Sequence, residues 1–333
     1  MRPLSQTPSI ERPPAAARSR GDRVIEVDVD RRDAFAKAVT AGSPRPSARR
    51  AIGKSAVTLP LRRSTCRFVA GAAFATLAAS LCPPASAEET VKFGGAALRS
   101  NAAKDGGKPD VLGYLTRPKG EGPFPAVVLL HSCLGLPADK TAIANMIASW
   151  GYVALFVDDF STRGLKETCS VDFRDALADA YGALLYLSRL PYVDQTRIAA
   201  IGYSQGGDTA LKIASSQFAR DFALPEDLKF KVAAAFYPPC ANLAGAKLEI
   251  PTLILVGELD DVTPMADCAK LAERSENRAQ VRLVGYPDAY HLFDNPSFVK
   301  GARFSGMLLK YDRAAAAESK SDLRNFLGSG FAR

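Results

Sequence analysis

The fold class that the sequence predicts is α/β, with a mostly parallel sheet and helices on both of its faces. Short apolar runs rich in β-branched residues recur along residues 88–333, and longer stretches of helical character separate them. This alternation is typical of parallel strands joined by crossover helices. About 245 residues suffice for one such domain with a substantial core. Strands are predicted at residues 126–131, 152–157, 197–201, 232–237, 252–257 and 281–285.

Five helices and an antiparallel edge pair complete the predicted domain. The edge pair covers residues 90–117, with Gly106 and Gly107 at its turn. Ligands of open α/β sheets bind beyond the carboxyl ends of the strands, so the residues that directly follow each strand are the first candidates for a site. The helices are predicted at about 138–149, 171–189, 205–217, 266–276 and 312–328.

The sequence Gly-Tyr-Ser-Gln-Gly directly follows the predicted strand 197–201. A G-x-S-x-G motif between a strand and a helix is a nucleophile elbow, in which the serine lies on a sharp, strained turn. Glycines at positions 202 and 206 let the strand and the helix pack close to that turn. The N-terminus of the following helix favours negative charge beside the serine. We therefore predict that Ser204 is a catalytic nucleophile and not a serine in a chance turn.

A nucleophilic serine needs a base, and the base needs a carboxylate that orients it. In the fold that carries this elbow, the three residues follow the chain order Ser, Asp or Glu, His. The chain has two histidines, His131 and His291, and only His291 lies after Ser204. His291 is therefore the predicted base, and His131 is interpreted as a structural residue of its loop.

The remaining parts of the predicted site also follow strands. Asp260 occupies a Gly-x-x-Asp turn at the end of strand 252–257, where a carboxylate can accept a hydrogen bond from an imidazole. Asp261 is the alternative, and either residue could instead cap the next turn. The oxyanion hole is predicted to consist of two backbone amides, one from Gln205 and one from Cys133 in the loop after strand 126–131.

From about Gly113 to Leu327 the chain resembles the dienelactone hydrolase family of α/β-hydrolases. The resemblance rests on the elbow, on the Gly-x-x-Asp turn and on three further stretches. These stretches are Pro125–His131 with Gly135, Gly151–Ala154 running on to Asp159, and Tyr286–Phe293. The resemblance implies the α/β-hydrolase fold, an ester or lactone substrate, and no cofactor.

Several positions differ from the founding enzymes of that family. Those enzymes have a cysteine where this chain has Ser204 and a glutamate where it has Ser132. Of their two arginines that bind a substrate carboxylate, the first corresponds to Arg163 and the second to Asn295. The resemblance therefore implies a serine-nucleophile variant, in which Arg163 either contacts an anionic substrate or is a solvated loop residue.

Four cysteines lie in residues 88–333, namely Cys133, Cys169, Cys240 and Cys268. An even number in an exported protein is compatible with disulfides, and four cysteines allow three connectivities. Cys133 and Cys169 follow neighbouring predicted strands, and Cys240 and Cys268 are expected to do the same. We predict the pairs Cys133–Cys169 and Cys240–Cys268, with buried free thiols as the alternative.

The first 87 residues are predicted to precede the α/β-hydrolase domain, which spans 88–333. Residues 61–87 have the order of a secretory signal peptide: arginines, then the apolar stretch 68–81, then an Ala-Ser-Ala cleavage site ending at Ala87. The apolar stretch is too short to cross a bilayer. We expect an exported protein, periplasmic or secreted. Residues 1–60 are basic and predicted to be disordered, as either a mis-assigned start or a genuine basic tail or transit segment.

Charge and composition exclude several other classes of function. The formal net charge is +8, but residues 1–87 carry 15 of the 43 basic and 6 of the 35 acidic residues. The domain therefore has 28 basic and 29 acidic residues and a net charge of −1, which gives no indication of nucleic-acid binding. There is no phosphate-binding glycine loop, and two histidines make a histidine-based metal site improbable.

The function predicted from the sequence is hydrolysis of a small-molecule carboxylic ester or lactone, of unspecified chain length, through an acyl-enzyme on Ser204. We expect no cofactor, no metal, no nucleic-acid partner and no stable insertion of the mature chain in a membrane; the sequence leaves the oligomeric state open. Acyl transfer and peptide-bond cleavage use the same residues and are the alternatives, followed by a non-catalytic binding protein. The loops 159–170 and 220–230 are predicted to shape the substrate pocket.

Overall fold

The computed structural model describes residues 25–27, 88–100, 110–171, 173–274 and 276–332. The predicted signal peptide at 61–87, most of the segment 1–60 and the turn at Gly106 and Gly107 lie outside these residues. Inside the segment predicted to be disordered, Ile25–Val27 form a short strand, β1. Within the described parts of the chain, no helix combines the length and the hydropathy that crossing a membrane requires.

The core of the protein is an eight-stranded sheet, which confirms the predicted fold class. Its order is β2-β3-β5-β4-β6-β7-β8-β9, in which β4 to β9 are parallel to one another and β2 and β3 form the predicted antiparallel edge. The strands are β2 (Glu89–Phe93), β3 (Val111–Thr116), β4 (Phe124–Leu130), β5 (Val153–Asp158), β6 (Val193–Tyr203), β7 (Val232–Phe236), β8 (Thr252–Gly257) and β9 (Val281–Tyr286).

Six α-helices accompany the strands in the described part of the chain. They are α1 (Lys140–Ser149), α2 (Ala176–Leu187), α3 (Gln205–Ile213), α4 (Ser216–Ala219), α5 (Met265–Glu273) and α6 (Arg313–Phe331), with 3-10 helices at Ser161–Arg163, Cys240–Leu243 and Pro296–Phe298. The single helix predicted at 205–217 is divided between α3 and α4. Alternate residues of β4 pack to opposite sides, Val127 and Leu129 towards α1 and α6, and Val128 towards α2. Because both faces are covered, the central strands are apolar throughout.

A small second sheet, absent from the sequence prediction, lies beside the carboxyl ends of the main strands. It has the order β1-β10-β11, where β10 (Ala302–Phe304) and β11 (Met307–Leu309) form a hairpin. Its last residue, Leu309, forms a parallel bridge to His291, and the amide of Lys310 donates to the His291 carbonyl at 3.1 Å. The hairpin thus supports the loop that carries the predicted base.

Candidate active site

The turn between β6 and α3 has the geometry of a nucleophile elbow. Ser204 has φ 52° and ψ −111°, a strained combination for a residue with a side chain. A Cβ at Gly202 would overlap the carbonyl oxygen of Gly206, and a Cβ at Gly206 would overlap that of Leu130. The two glycines therefore allow strand, turn and helix to approach one another, and they place Ser204 at the N-terminus of α3.

The structure brings Ser204, His291 and Asp260 into one hydrogen-bonded chain. His291 Nε2 lies 3.1 Å from Ser204 Oγ, and His291 Nδ1 lies 2.8 Å from Asp260 Oδ2. Both His291 and Asp260 are buried, whereas Asp261, the alternative carboxylate, is exposed. This arrangement can move the serine proton to the imidazole and stabilise the charge that forms there.

Asp260 is held by a full set of donors. Its Oδ1 accepts from the backbone amides of Val262 and Thr263, both at 2.9 Å. Its Oδ2 accepts from the Thr263 hydroxyl at 2.9 Å and faces His291 Nδ1. Four donors match the approximate lone-pair capacity of a carboxylate, so the orientation of the group is fixed. The bonds from the two amides form the turn cap that the sequence suggests for this aspartate. The bond from the Thr263 hydroxyl is not predicted by the sequence.

Thr263 connects the carboxylate to a second buried residue, Tyr237. The Thr263 hydroxyl is 3.1 Å from both the Tyr237 carbonyl oxygen and His291 Nδ1. The Tyr237 ring packs edge-on against the imidazole, with 4.7 Å between ring centroids, and its hydroxyl donates to Asp294 at 2.6 Å. Neither Thr263 nor Tyr237 was predicted from the sequence as part of the site, yet both fix the position of the imidazole.

We expect Thr263→Val to lower kcat of any reaction that proceeds through Ser204 by about tenfold to a hundredfold. Valine preserves the shape but removes a hydrogen bond to an ionised carboxylate, which is worth about 1.5–3 kcal/mol. Steady-state kinetics would measure the loss, and Thr263→Ser, which keeps the hydroxyl, should restore most of the activity. Equal activity in the valine variant and the parent protein would contradict this role.

The two predicted oxyanion amides lie at the same cleft as Ser204. Cys133 and Gln205 both line it, and neither backbone amide donates a hydrogen bond to another described residue. The Gln205 side chain accepts from the Thr168 hydroxyl at 2.8 Å, and the Thr168 amide donates to the Cys133 carbonyl at 2.8 Å. Thr168, in the loop after β5, is therefore hydrogen-bonded to both residues of the predicted oxyanion hole.

Both predicted disulfides are present in the structure. Cys133 is bonded to Cys169, with 4.8 Å between Cα atoms, and Cys240 is bonded to Cys268, with 5.0 Å between Cα atoms. The first bridge joins the loop after β4 to the loop after β5, beside Ser204. The second joins the 3-10 helix at Cys240–Leu243, which follows β7, to α5.

Removing either bridge should cost a similar amount of stability, but only one removal should strongly affect catalysis. The bridges span 36 and 28 residues, so the loop-entropy model gives each about 3–4 kcal/mol. We expect the double variant Cys133→Ala/Cys169→Ala also to lower kcat by at least about tenfold, because a misplaced oxyanion donor loses part of its effect. Cys240→Ala/Cys268→Ala is the matched control, and equal kcat losses in both would contradict the prediction.

Arg163 is placed in an internal ion pair and not in the cleft. Its guanidinium contacts both carboxylate oxygens of Asp179 at 2.9 and 3.1 Å and donates to the Asp159 carbonyl at 2.6 Å, and its side chain is only 11% exposed. Burial raises the pKa of Asp179 to about 7, although Arg163 opposes this. The alternative that Arg163 is a solvated loop residue is therefore wrong. Within the described residues, the structure also shows no contact of Arg163 with the cleft, and its ion pair with Asp179 instead anchors the loop after β5.

His131 is also engaged structurally, as the sequence predicts. Its Nδ1 lies 2.7 Å from the Ser132 carbonyl oxygen, and its Nε2 lies 2.7 Å from Asp159. Burial lowers its pKa, but the hydrogen bond and the charge of Asp159 outweigh burial, so the pKa of His131 is raised overall.

Asn295 caps a 3-10 helix by accepting from the Ser297 amide.

The cleft at Ser204 has a volume of about 600 Å³. Both loops 159–170 and 220–230 were predicted to shape the pocket. Thr168 and Cys169 of the first loop line the cleft, whereas no residue of the second loop lines it. Residues such as Phe222 and Phe230 of that loop instead pack in the core beneath the sheet. Phe218, in α4, lines the cleft in its place. In the described part of the chain, no group of three or more His, Cys, Asp or Glu side chains could hold a metal ion.

Comparison with known proteins agrees with the resemblance noted in the sequence. Residues 111–331, about two thirds of the chain, match the model of the dienelactone hydrolase family. A dienelactone hydrolase from Anabaena variabilis superposes with a TM-score of 0.51 at 18% identity, covering 74% of this chain and 99% of that one. At this identity the superposition shows the fold alone.

Curated relatives include esterases and cutinases. Esterase FrsA of Klebsiella pneumoniae subsp. pneumoniae is 32% identical over 111 residues, which are 32% of this chain and 26% of that protein. Cutinase 1 of Thermobifida cellulosilytica is 28% identical over 196 residues, 59% of this chain and 66% of that protein. The chain thus spans about a quarter of the esterase and slightly less than two thirds of the cutinase.

Proposed function

The chain belongs to the dienelactone hydrolase family, and we propose that it is a serine esterase that hydrolyses carboxylic esters or lactones. One observation carries the proposal: the relay from Asp260 through His291 to Ser204, with Ser204 opening into a large cleft. The two backbone amides at the same cleft supply the electrostatic stabilisation that ester cleavage needs. The esterases and cutinase among its relatives support the same reaction class.

In the first half-reaction, Ser204 Oγ attacks the ester carbonyl carbon while His291 Nε2 takes the hydroxyl proton. The carbonyl oxygen becomes an oxyanion, which the Cys133 and Gln205 amides stabilise together with the N-terminus of α3. Asp260 stabilises the imidazolium and keeps its Nδ1–H directed inwards. Collapse of the intermediate breaks the bond to the alcohol oxygen, which receives the proton from His291, and leaves an acyl-enzyme.

In the second half-reaction, His291 removes a proton from water, which attacks the acyl carbon. The same amides stabilise the second oxyanion, and His291 returns the proton to Ser204 Oγ as the acid is released. The atoms of this cycle balance with the ester and one water as the only reactants.

Labelling with a fluorophosphonate tests the proposal directly. The folded protein should react stoichiometrically, mass spectrometry should place the adduct on Ser204, and prior incubation with an ester substrate should slow the labelling. A protein that is folded by circular dichroism but is not labelled would contradict the proposed nucleophile and favour a binding protein that keeps the fold.

We also propose that the protein is exported and that its mature form begins after Ala87. The order of charged, apolar and small residues over 61–87 supports this, and the two disulfides are compatible with an oxidising compartment. Expression of the full chain in a bacterium with fractionation and N-terminal sequencing tests it. Recovery of uncleaved protein in the cytoplasm would contradict it.

A further inference from the structure

Two separate spaces of very different size meet at Ser204. The larger is the cleft of about 600 Å³ along α3, which we call the α3 cleft and which is lined by Gln205, Asp208, Thr209 and Lys212 of that helix. The smaller has about 40 Å³ and is called here the His291 pocket; it is lined by His291 together with Leu134, Leu292 and Leu309. Both spaces are lined by Cys133, Cys169, Val262 and Phe304 as well as by Ser204, so they meet at the nucleophile.

The position of His291 decides which part of an ester enters each space. His291 Nε2 must deliver its proton to the leaving oxygen, so that oxygen has to come within hydrogen-bond distance of the imidazole. The alkyl group of the alcohol is bonded to this oxygen and therefore extends into the space that His291 lines. The acyl group lies on the other side of the carbonyl carbon, towards Gln205 and α3.

On the basis of the proposed esterase function, we propose that the substrates are esters of small alcohols with large acids. A pocket of about 40 Å³ has room for only a few water-sized groups, since one requires about 10–15 Å³. It therefore accepts a methyl or ethyl group and, once the alcohol has left, the hydrolytic water. Apolar side chains line it, so a small alkyl group is favoured there over a charged one.

The α3 cleft has the length and the chemistry for a large acid. Gln205 and Lys212 are seven residues apart on α3, which corresponds to about 10 Å along the helix. The cleft is lined by the apolar side chains of Phe218 and Leu177 and also by Lys212, which pairs with Asp208 at 2.7 Å. A large apolar or aromatic acyl group that carries a polar substituent fits this combination of surfaces.

A pair of isomeric esters tests the inference. Methyl 3-phenylpropanoate has a large acid and a small alcohol, and 2-phenylethyl acetate has the reverse arrangement with the same atoms. Both release an unactivated alkyl alcohol, so intrinsic reactivity does not separate them. We expect kcat/KM, measured by acid release in a pH-stat, to favour methyl 3-phenylpropanoate by at least about tenfold, the usual lower bound for a misfit in an apolar pocket.

Enlarging the small pocket should reverse part of this preference. Leu309→Ala and Leu134→Ala both remove atoms that line only the His291 pocket, and each should raise the relative rate on 2-phenylethyl acetate several-fold. Leu134 is only half-buried, so its variant keeps the test usable if Leu309→Ala folds poorly. A ratio of two substrates on one sample does not depend on the folded fraction. Leu177→Ala, which enlarges only the α3 cleft, is the matched control and should not raise this ratio.

The outcomes separate this inference from the proposed function. Equal rates on the two isomers, or a preference for 2-phenylethyl acetate, would overturn the assignment of the two spaces while leaving the esterase intact. Turnover of p-nitrophenyl acetate without turnover of either isomer would also overturn it. Loss of all ester hydrolysis together with absence of fluorophosphonate labelling would instead refute the proposed function.

Discussion

Replacing Ser204 by alanine should lower kcat for ester hydrolysis by about five to six orders of magnitude. No other group in the relay can form the acyl-enzyme, and loss of the nucleophile in serine hydrolases has effects of this size. The residual rate would come from the oxyanion amides and from substrate binding, which remain in the variant. The variant must be purified free of host esterases. Titration with a fluorophosphonate measures any contaminating serine esterase that remains in the sample.

Ser149→Ala provides the matched control for this substitution. Ser149 is exposed at the end of α1, where its hydroxyl donates to the Met146 carbonyl. It lines neither the α3 cleft nor the His291 pocket. Its variant should retain full activity. A Ser204→Ala protein that is folded and still hydrolyses esters at more than a few per cent of the parent rate would remove Ser204 from the mechanism.

Asp260→Asn should have the second-largest effect, a loss in kcat of about four orders of magnitude. Asparagine keeps the shape of the carboxylate, but it removes the charge that stabilises the imidazolium and can present an N–H to His291 Nδ1. The imidazole is then held in the wrong tautomer, and losses of this size are known for the equivalent change in serine proteases. Initial rates with the methyl ester of a large acid would measure the effect.

Asp261→Asn is the control that the chain itself offers. The two aspartates are adjacent, yet Asp261 is exposed and only Asp260 contacts His291. The Asp261 variant should therefore retain activity close to that of the parent protein. If instead Asp261→Asn were inactive and Asp260→Asn active, the carboxylate of the relay would be the alternative that the sequence left open.

The parts of the site that sequence analysis located are those where the backbone limits the choice of residue. The elbow needs glycine at 202 and 206, because any Cβ there would overlap a neighbouring carbonyl oxygen. Gly257 is constrained in the same way, since a Cβ would overlap the Ala289 carbonyl oxygen, and it marks the turn that carries Asp260. Such steric requirements are visible in one sequence without any knowledge of the fold.

The parts of the structure that were not predicted from the sequence depend on contacts between side chains that are far apart along the chain. The partner of Arg163 is Asp179, 16 residues further along the chain and on another element, so the local sequence around Arg163 does not indicate an internal ion pair. The Thr263 hydroxyl acquires its role only when β7 and the His291 loop come together around it. The hairpin of β10 and β11 has strands of three residues, which are too short to show a period of two.

The bridge between Cys133 and Cys169 bears on how active protein is to be prepared. A chain made in a reducing cytosol would keep these thiols free, and the loop that carries one oxyanion amide would lose its covalent attachment. Such a preparation could be soluble, with intact spectra and an intact relay, and yet hydrolyse esters poorly. Low turnover in a recombinant sample would then report the oxidation history of the sample, and reoxidation before assay would be the remedy.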